Sequence, residues 1–333
     1  MAANETGQCG CGALARLGPL MTEAKPAKDP IHIAACVDNS GFPSLYILLQ
    51  SLKVTQNNNE LHVSVLHNGL TKTRIQLIHE KFCGDGVTVE FIRVDPKEYF
   101  TGRPPYGLMA YTRILLPDIL KADRVLYIDT DIIVMDDLSD FFGSILHNCI
   151  GVVKTGIAGK SNCYSYLKER GFDYYDDYFN SGVILINCKK WRDENCTARL
   201  LRLGTLENWK FPTHDQTLLN AFFKGKFDAL DKKYNYLCWS SATGSAIDEV
   251  VQNVMIHFIG RPKPWEFGGR LCFSYAIYIK LKRRLEMQAA PVEPADLWWS
   301  GRRIARYASS YGKLLKKRGI NRYLHARKLI GVG

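Results

Sequence analysis

Over residues 31–134 the chain alternates continuous apolar runs with segments in which apolar residues recur every three or four positions. IHIAACV (31–37), LHVSVLH (61–67) and VTVEFIRV (87–94) read as strands, and RVLYIDTDIIV (124–134) as a buried strand running into its exit loop. Between them, Leu45, Leu48, Leu49 and Leu52 mark one helix, and Ile75, Ile78 and Phe82 a second. Met109, Arg113 and Leu116 mark a third, ended near Pro117. Strands alternating with helices at this spacing predict βαβ units and a mostly parallel sheet, and apolar runs this continuous predict cover on both faces. Further on, IGVVK (150–154) and GVILINC (182–188) read as central strands, DQTLLNAFF (215–223) as a helix and VMIHF (254–258) as a short strand. Two helices with basic faces, near 271–287 and 297–328, are hinged at PVEP (291–294).

At 333 residues, 46% hydrophobic and 23% charged, the chain has the composition of an ordinary globular protein. No apolar run reaches the ~20 residues that span a bilayer. Residues 1–28 lack a continuous apolar region, so no signal peptide is expected there, only a disordered head. Met21 would suit a natural start, which makes residues 1–20 an expected upstream extension. The ten cysteines include no C-x-x-C pair, and Cys36, Cys149, Cys188 and Cys272 lie within apolar segments, so reduced thiols are expected. The net charge of +11 is concentrated at the end: Asp296–Gly333 holds ten Lys or Arg and one acid.

Asp129 and Asp131, at the close of an apolar strand, pose an energetic problem, because burying charge without a partner is costly. Ligands of open parallel sheets bind beyond the carboxyl ends of the strands, where these acids fall. Strand periodicity puts both on one side, where a divalent cation would relieve their repulsion. An isolated D-x-D is common, however, and a loop whose solvated acids cap the following helix fits equally, although Asp136, Asp137 and Ser139 could do that capping instead.

Four further segments change that balance: MAYTRILLPDIL (109–120), YFNSGVILINCKKWR (178–192), HDQTLLNAFFKGKF (214–227) and HFIGRPKPW (257–265). With YIDTDIIV, in this order and spacing, they resemble glycosyltransferase family 8 over roughly residues 31–270, above all the bacterial lipopolysaccharide α-galactosyltransferases and α-glucosyltransferases. The resemblance implies an α/β fold of the GT-A type over 29–275, followed by a basic tail over 276–333. It implies Asp129, Asp131 and His257 as metal ligands. Two carboxylates and an imidazole suit Mn²⁺, with Mg²⁺ the second choice, better than Ca²⁺. Gly260 and Lys263 would meet the diphosphate, and Ala35, Asp38 and Asn39 the uridine. Relatives commonly carry two adjacent acids before that Asn; here Val37 precedes Asp38, which leaves reading of the uracil edge open. Arg113, Asn180, Asp215 and Gln216 would face the donor sugar and the reacting carbon, with Ser181 and Gly182 letting backbone approach. Asp215 could equally be an acid stabilised at a helix N-terminus. Thr155 stands where galactosyl-transferring relatives place an acid, which leaves galactose and glucose both open.

The activity implied is a retaining, metal-dependent hexosyl transfer from UDP-galactose or UDP-glucose to a lipopolysaccharide core or another glycolipid or glycan. The alternatives are a protein or polyol acceptor, or a non-catalytic, membrane-associated binding protein on the same fold. The tail joins its cations to Trp298, Trp299, Tyr307, Tyr311 and Tyr323, a combination suited to an anionic membrane surface. That gives a cytoplasmic protein on the inner face of the cytoplasmic membrane. Nothing in the body resembles a nucleic-acid-reading module, so no nucleic-acid partner is expected.

Overall fold

The computed structural model describes residues 30–100, 107–239, 247–266, 269, 272 and 274–291. The expected head, part of the loop at 95–107 and the segment 292–333 lie outside the described residues. The strands are β1 (Ile31–Asp38), β2 (Leu61–Asn68), β3 (Val87–Arg93), β4 (Arg124–Ile128), β5 (Ile132–Val134), β6 (Ile150–Ile157), β7 (Asp177–Asn187), β8 (Asp228–Leu230), β9 (Tyr236–Trp239) and β10 (Met255–Ile259). Seven of them form one sheet in the order β3-β2-β1-β4-β7-β6-β8. The pairs β1–β2, β2–β3, β1–β4 and β6–β8 are parallel, and only β7 runs against its neighbours β4 and β6. The strand order reverses direction between β1 and β4, so a crevice opens at their carboxyl ends, where ligands of open α/β sheets bind.

Burial on both sides follows the strand period of two. Ile33, Ala35, Val63, Val65, Leu126, Ile128, Val183 and Leu185 join one core cluster, beneath the helices Phe42–Thr55 and Lys72–Phe82. Ala34, Leu66, Val125, Tyr127, Ile184 and Ile186 turn to the other face, against Leu200, Trp191, Trp209, Leu218 and Leu219. The segment expected to end near Pro117 instead continues to Ile119: Pro117 falls in the first turn of the helix Leu116–Ile119, where its missing N–H costs nothing.

The run 124–134 is not one strand. It breaks at Asp129–Thr130–Asp131, and β5 leaves the large sheet for a second one in the order β5-β10-β9. Both halves are equally apolar, so the break carries no hydrophobic signature. β10 runs antiparallel to β5, with His257 opposite Ile132, which carries the histidine back to the aspartates. Ile256 and Phe258 turn into a third cluster with Ile47, Ile133, Tyr278 and Leu281, so His257 between them faces the opposite way. The basic helix expected near 271–287 is Ser274–Arg284. Its Ile277, Tyr278 and Leu281 lie in that same cluster, so the expected boundary at 275/276 falls inside a helix anchored to the core.

Candidate active site

At the break between the two sheets, each aspartate commits one oxygen to the protein. Asp129 Oδ1 accepts hydrogen bonds from Arg113 Nη2 at 3.0 Å and from the Tyr127 hydroxyl at 2.5 Å. Asp131 Oδ2 accepts from Lys263 Nζ. The remaining oxygens face the histidine: His257 Nε2 lies 3.0 Å from Asp131 Oδ1 and 3.7 Å from Asp129 Oδ2. Asp131 Oδ1 is buried yet accepts no hydrogen bond. Such an orphan is costly unless something absent from the chain supplies its partner. One ligand atom from each of Asp129, Asp131 and His257 lies within 4.8 Å of the others, a set that can hold a cation. Burial works to raise the Asp131 carboxyl, but the charge beside it, foremost the Lys263 ammonium, outweighs burial and holds the group well below the ordinary carboxylate value.

Gly182 makes the cradle. A Cβ there would stand 2.2 Å from His257 Cε1 and 2.7 Å from Asp129 Oδ2. The sequence suggested that this glycine lets backbone reach a ligand; in the structure it makes room for the imidazole.

Arg113, 5% exposed, joins the metal ligands to the sugar-facing residues. Besides Asp129 it meets Asp215 Oδ2 through Nε at 3.1 Å, it donates to the Ser181 carbonyl, and it stacks 4.4 Å from the Tyr127 ring centre. Asp215, buried at the start of the helix Asp215–Phe222, also accepts from Ser181 Oγ at 3.0 Å. Burial raises its carboxyl above the usual value even though Arg113 opposes the shift. Next to it, Gln216 Oε1 accepts from Asn180 Nδ2 at 2.9 Å, and Gln216 Nε2 donates to the Tyr178 hydroxyl at 2.7 Å. Asp129, Asp131, His257, Lys263, Arg113, Asn180, Asp215 and Gln216 therefore form one connected constellation.

The residues expected at the nucleotide make the following contacts within the chain. Ala35 is fully buried on the helix-facing side of β1, so its side chain offers no surface to a ligand. Asp38 Oδ1 caps the following turn, accepting from Gly41 N at 2.9 Å and Ser40 Oγ at 2.7 Å; this capping, and not a missing acid's role, is what the structure shows for it. Asn39, at the crevice, is held by the buried Arg74, which donates to its carbonyl at 2.6 Å and its Oδ1 at 2.9 Å. Gly260 has φ +83°, a conformation that favours glycine. Lys263 is tied to Asp131 and, at 2.5 Å, to the Phe258 carbonyl.

The sequence reading missed Asn235, Tyr127 and Tyr178. Asn235 is 3% exposed, and its Oδ1 lies 3.0 Å from His257 Nδ1. It sits in an unremarkable turn before β9, and no spacing rule singles it out.

A mostly parallel α/β sheet with an aspartate pair and a distant histidine at its switch point defines the GT-A class of glycosyltransferase fold. The solved galactosyltransferase LgtC, in complex with donor and acceptor sugar analogs, shares it: TM-score 0.66 at 22% identity, covering 80% of this chain and 98% of that one. The profile of glycosyl transferase family 8 matches residues 32–268, and the chain belongs to that family and is a glycosyltransferase. General stress protein A of Bacillus subtilis (strain 168) is 28% identical over 258 residues, which are 72% of this chain and 88% of that protein. Lipopolysaccharide 1,2-glucosyltransferase of Escherichia coli (strain K12) is 28% identical over 173 residues, 49% of this chain and 48% of that protein. Glycosyltransferase GlyF of Streptococcus pneumoniae serotype 4 is 26% identical over 245 residues, 70% of this chain; the chain spans only 56% of GlyF's length.

Proposed function

We propose that this glycosyltransferase moves a hexose, glucose or galactose, from a UDP-sugar to a lipopolysaccharide core or a similar glycolipid, with retention of configuration. The observation that carries the reading is the convergence of Asp129 Oδ2, Asp131 Oδ1 and His257 Nε2, a cluster tied to Asp215 through Arg113. Those three atoms would hold Mn²⁺, with Mg²⁺ the second choice, and the ion would supply positive charge where a leaving diphosphate becomes more negative. The chain's own part is orientation. Arg113 fixes Asp129 and Asp215 relative to each other, and Gln216 is held by Asn180 and Tyr178. Lys263 keeps Asp131 ionised and hence able to bind a cation. Asp215 is the only carboxylate of the constellation beyond the metal pair. Gln216 is a poor nucleophile, so we favour front-face attack without a covalent intermediate.

The glycolipid acceptor finds support in the name of the Escherichia coli relative and in the basic, aromatic tail. On this reading the tail rests on anionic lipid at the cytoplasmic face of the membrane, each cation there contributing ~1 kcal/mol. Hydrolysis of a panel of UDP-sugars with and without Mn²⁺ tests the enzymatic core. Mn²⁺-dependent release of UDP from UDP-glucose or UDP-galactose is the expected result, and no release from any UDP-sugar refutes the reading. Flotation with anionic and neutral vesicles tests the tail, with binding expected only to the anionic ones.

A further inference from the structure

We infer that Asn235 is a positioning residue. It fixes the tautomer of His257 so that the lone pair of Nε2 faces the metal, and it ties that tautomer to the residues facing the sugar. The inference rests on the metal-binding part of the reading above.

A backbone group sets the orientation of the network, because an amide side chain can sit either way round and a main-chain N–H cannot. Gly182 N–H donates to Asn180 Oδ1 at 3.0 Å, which fixes that carboxamide. The fixed oxygen also faces Asn235 Nδ2 at 3.2 Å, so Asn235 must present its NH₂ there. Its own oxygen is thereby turned to His257 Nδ1, 3.0 Å away. An amide oxygen only accepts, so Nδ1 must carry the proton. In the neutral ring, Nε2 is then an unprotonated lone pair. It points at Asp131 Oδ1, which has lone pairs and no donor of its own. Two acceptors 3.0 Å apart repel unless a cation lies beside them, so the network prepares the imidazole as a ligand before any ion arrives.

The chain continues the other way. Asn180 Nδ2 donates to Gln216 Oε1, which Ser181 N also approaches at 3.4 Å, and Gln216 Nε2 donates to Tyr178. From Tyr178 to His257 every donor points in one sense. Among the described residues Asn235 is the side chain that joins the metal ligand to Asn180, and reversing its amide would set its oxygen against Asn180 Oδ1.

The test compares two variants with wild type. Asn235→Asp keeps an acceptor for His257 Nδ1–H but removes the donor to Asn180; Asn235→Ala removes both. Manganese affinity is read by electron paramagnetic resonance of free Mn²⁺. The His257 tautomer is read by ¹⁵N-histidine NMR in EDTA, and folding by thermal unfolding in EDTA. Wild type should show the Nδ1–H tautomer. Asn235→Ala should bind Mn²⁺ about 10–100-fold more weakly, the usual effect of losing an outer-shell partner. Asn235→Asp should bind close to wild type while its UDP-sugar hydrolysis falls. An Nε2–H tautomer in wild type overturns the inference, as do unchanged affinity in Asn235→Ala or equal weakening in both folded variants. Wild type that binds no Mn²⁺ at all refutes the metal reading instead.

Discussion

His257 Nε2 lies 3.0 Å from Asp131 Oδ1, an oxygen that is buried and accepts no hydrogen bond. Strand pairing, not sequence proximity, creates the relationship: β10 runs antiparallel to β5 and sets His257 against Ile132, the residue after Asp131. A divalent ion should therefore bind the folded chain and not the unfolded one. Mn²⁺ at about 100 times its Kd should raise the unfolding free energy by about 2.7 kcal/mol. Thermal unfolding with and without Mn²⁺ reads this directly, and Asp131→Asn or His257→Ala should abolish the shift while leaving a cooperative transition.

Gly182→Ala should damage the same site by crowding. Its methyl group would meet His257 Cε1 at 2.2 Å and Asp129 Oδ2 at 2.7 Å, inside contact distance for both. Overpacking of this kind costs about 1–3 kcal/mol. If the imidazole yields to make room, stability recovers but the ligand set opens. Urea unfolding together with Mn²⁺ titration should show loss in at least one; wild-type values in both would contradict the crowded geometry.

Arg113 holds Asp129 at 3.0 Å and Asp215 at 3.1 Å from separate nitrogens of one buried guanidinium. Arg113→Met leaves those carboxylates facing each other without their cation, and breaking a buried ion pair from one side costs about 3–5 kcal/mol. Arg113→Lys restores the charge but not the fork that serves both acids, so it should recover only part of the loss. Urea denaturation of the three proteins gives the order wild type, Lys, Met.

Much of this was legible in the sequence, for identifiable reasons. The strands β1, β2 and β3 and their helices follow apolar periodicities that depend only on which faces are buried. Asp129 and Asp131 stand out because charge closes an apolar run, whereas His257, one of several histidines on apolar strands, was legible only through its family-like segment HFIGRPKPW. What stayed hidden depends on direction and partnership. The apolar pattern of 124–134 does not reveal that β5 changes sheets. Ala35 looks like a ligand contact by position, yet strand parity turns its methyl into the core. Lys263 reads as a phosphate contact from the sequence, which does not reveal that its buried ammonium also pairs with Asp131. Asn235 is an ordinary turn residue until the hydrogen bonds around it are traced.

The two carboxylates Asp131 and Asp215 should respond to pH in opposite ways. Burial raises Asp215 in the folded chain more than Arg113 lowers it, so folding favours its protonated form. Its stabilising contribution is then complete below the unfolded-state value of about 3.9 and is lost as pH climbs through the higher folded-state value. The charge beside Asp131, foremost Lys263, holds it low, so its contribution is present above about 3.9 and is lost only as the solution becomes more acidic. Asp215→Asn removes the first dependence and leaves the second. Unfolding free energies of wild type and Asp215→Asn, measured in EDTA from pH 4 upward, should therefore diverge, with the variant gaining relative to wild type as pH rises. A difference that stays flat or shrinks across that range would mean that Arg113 outweighs burial and that Asp215 is ionised without cost.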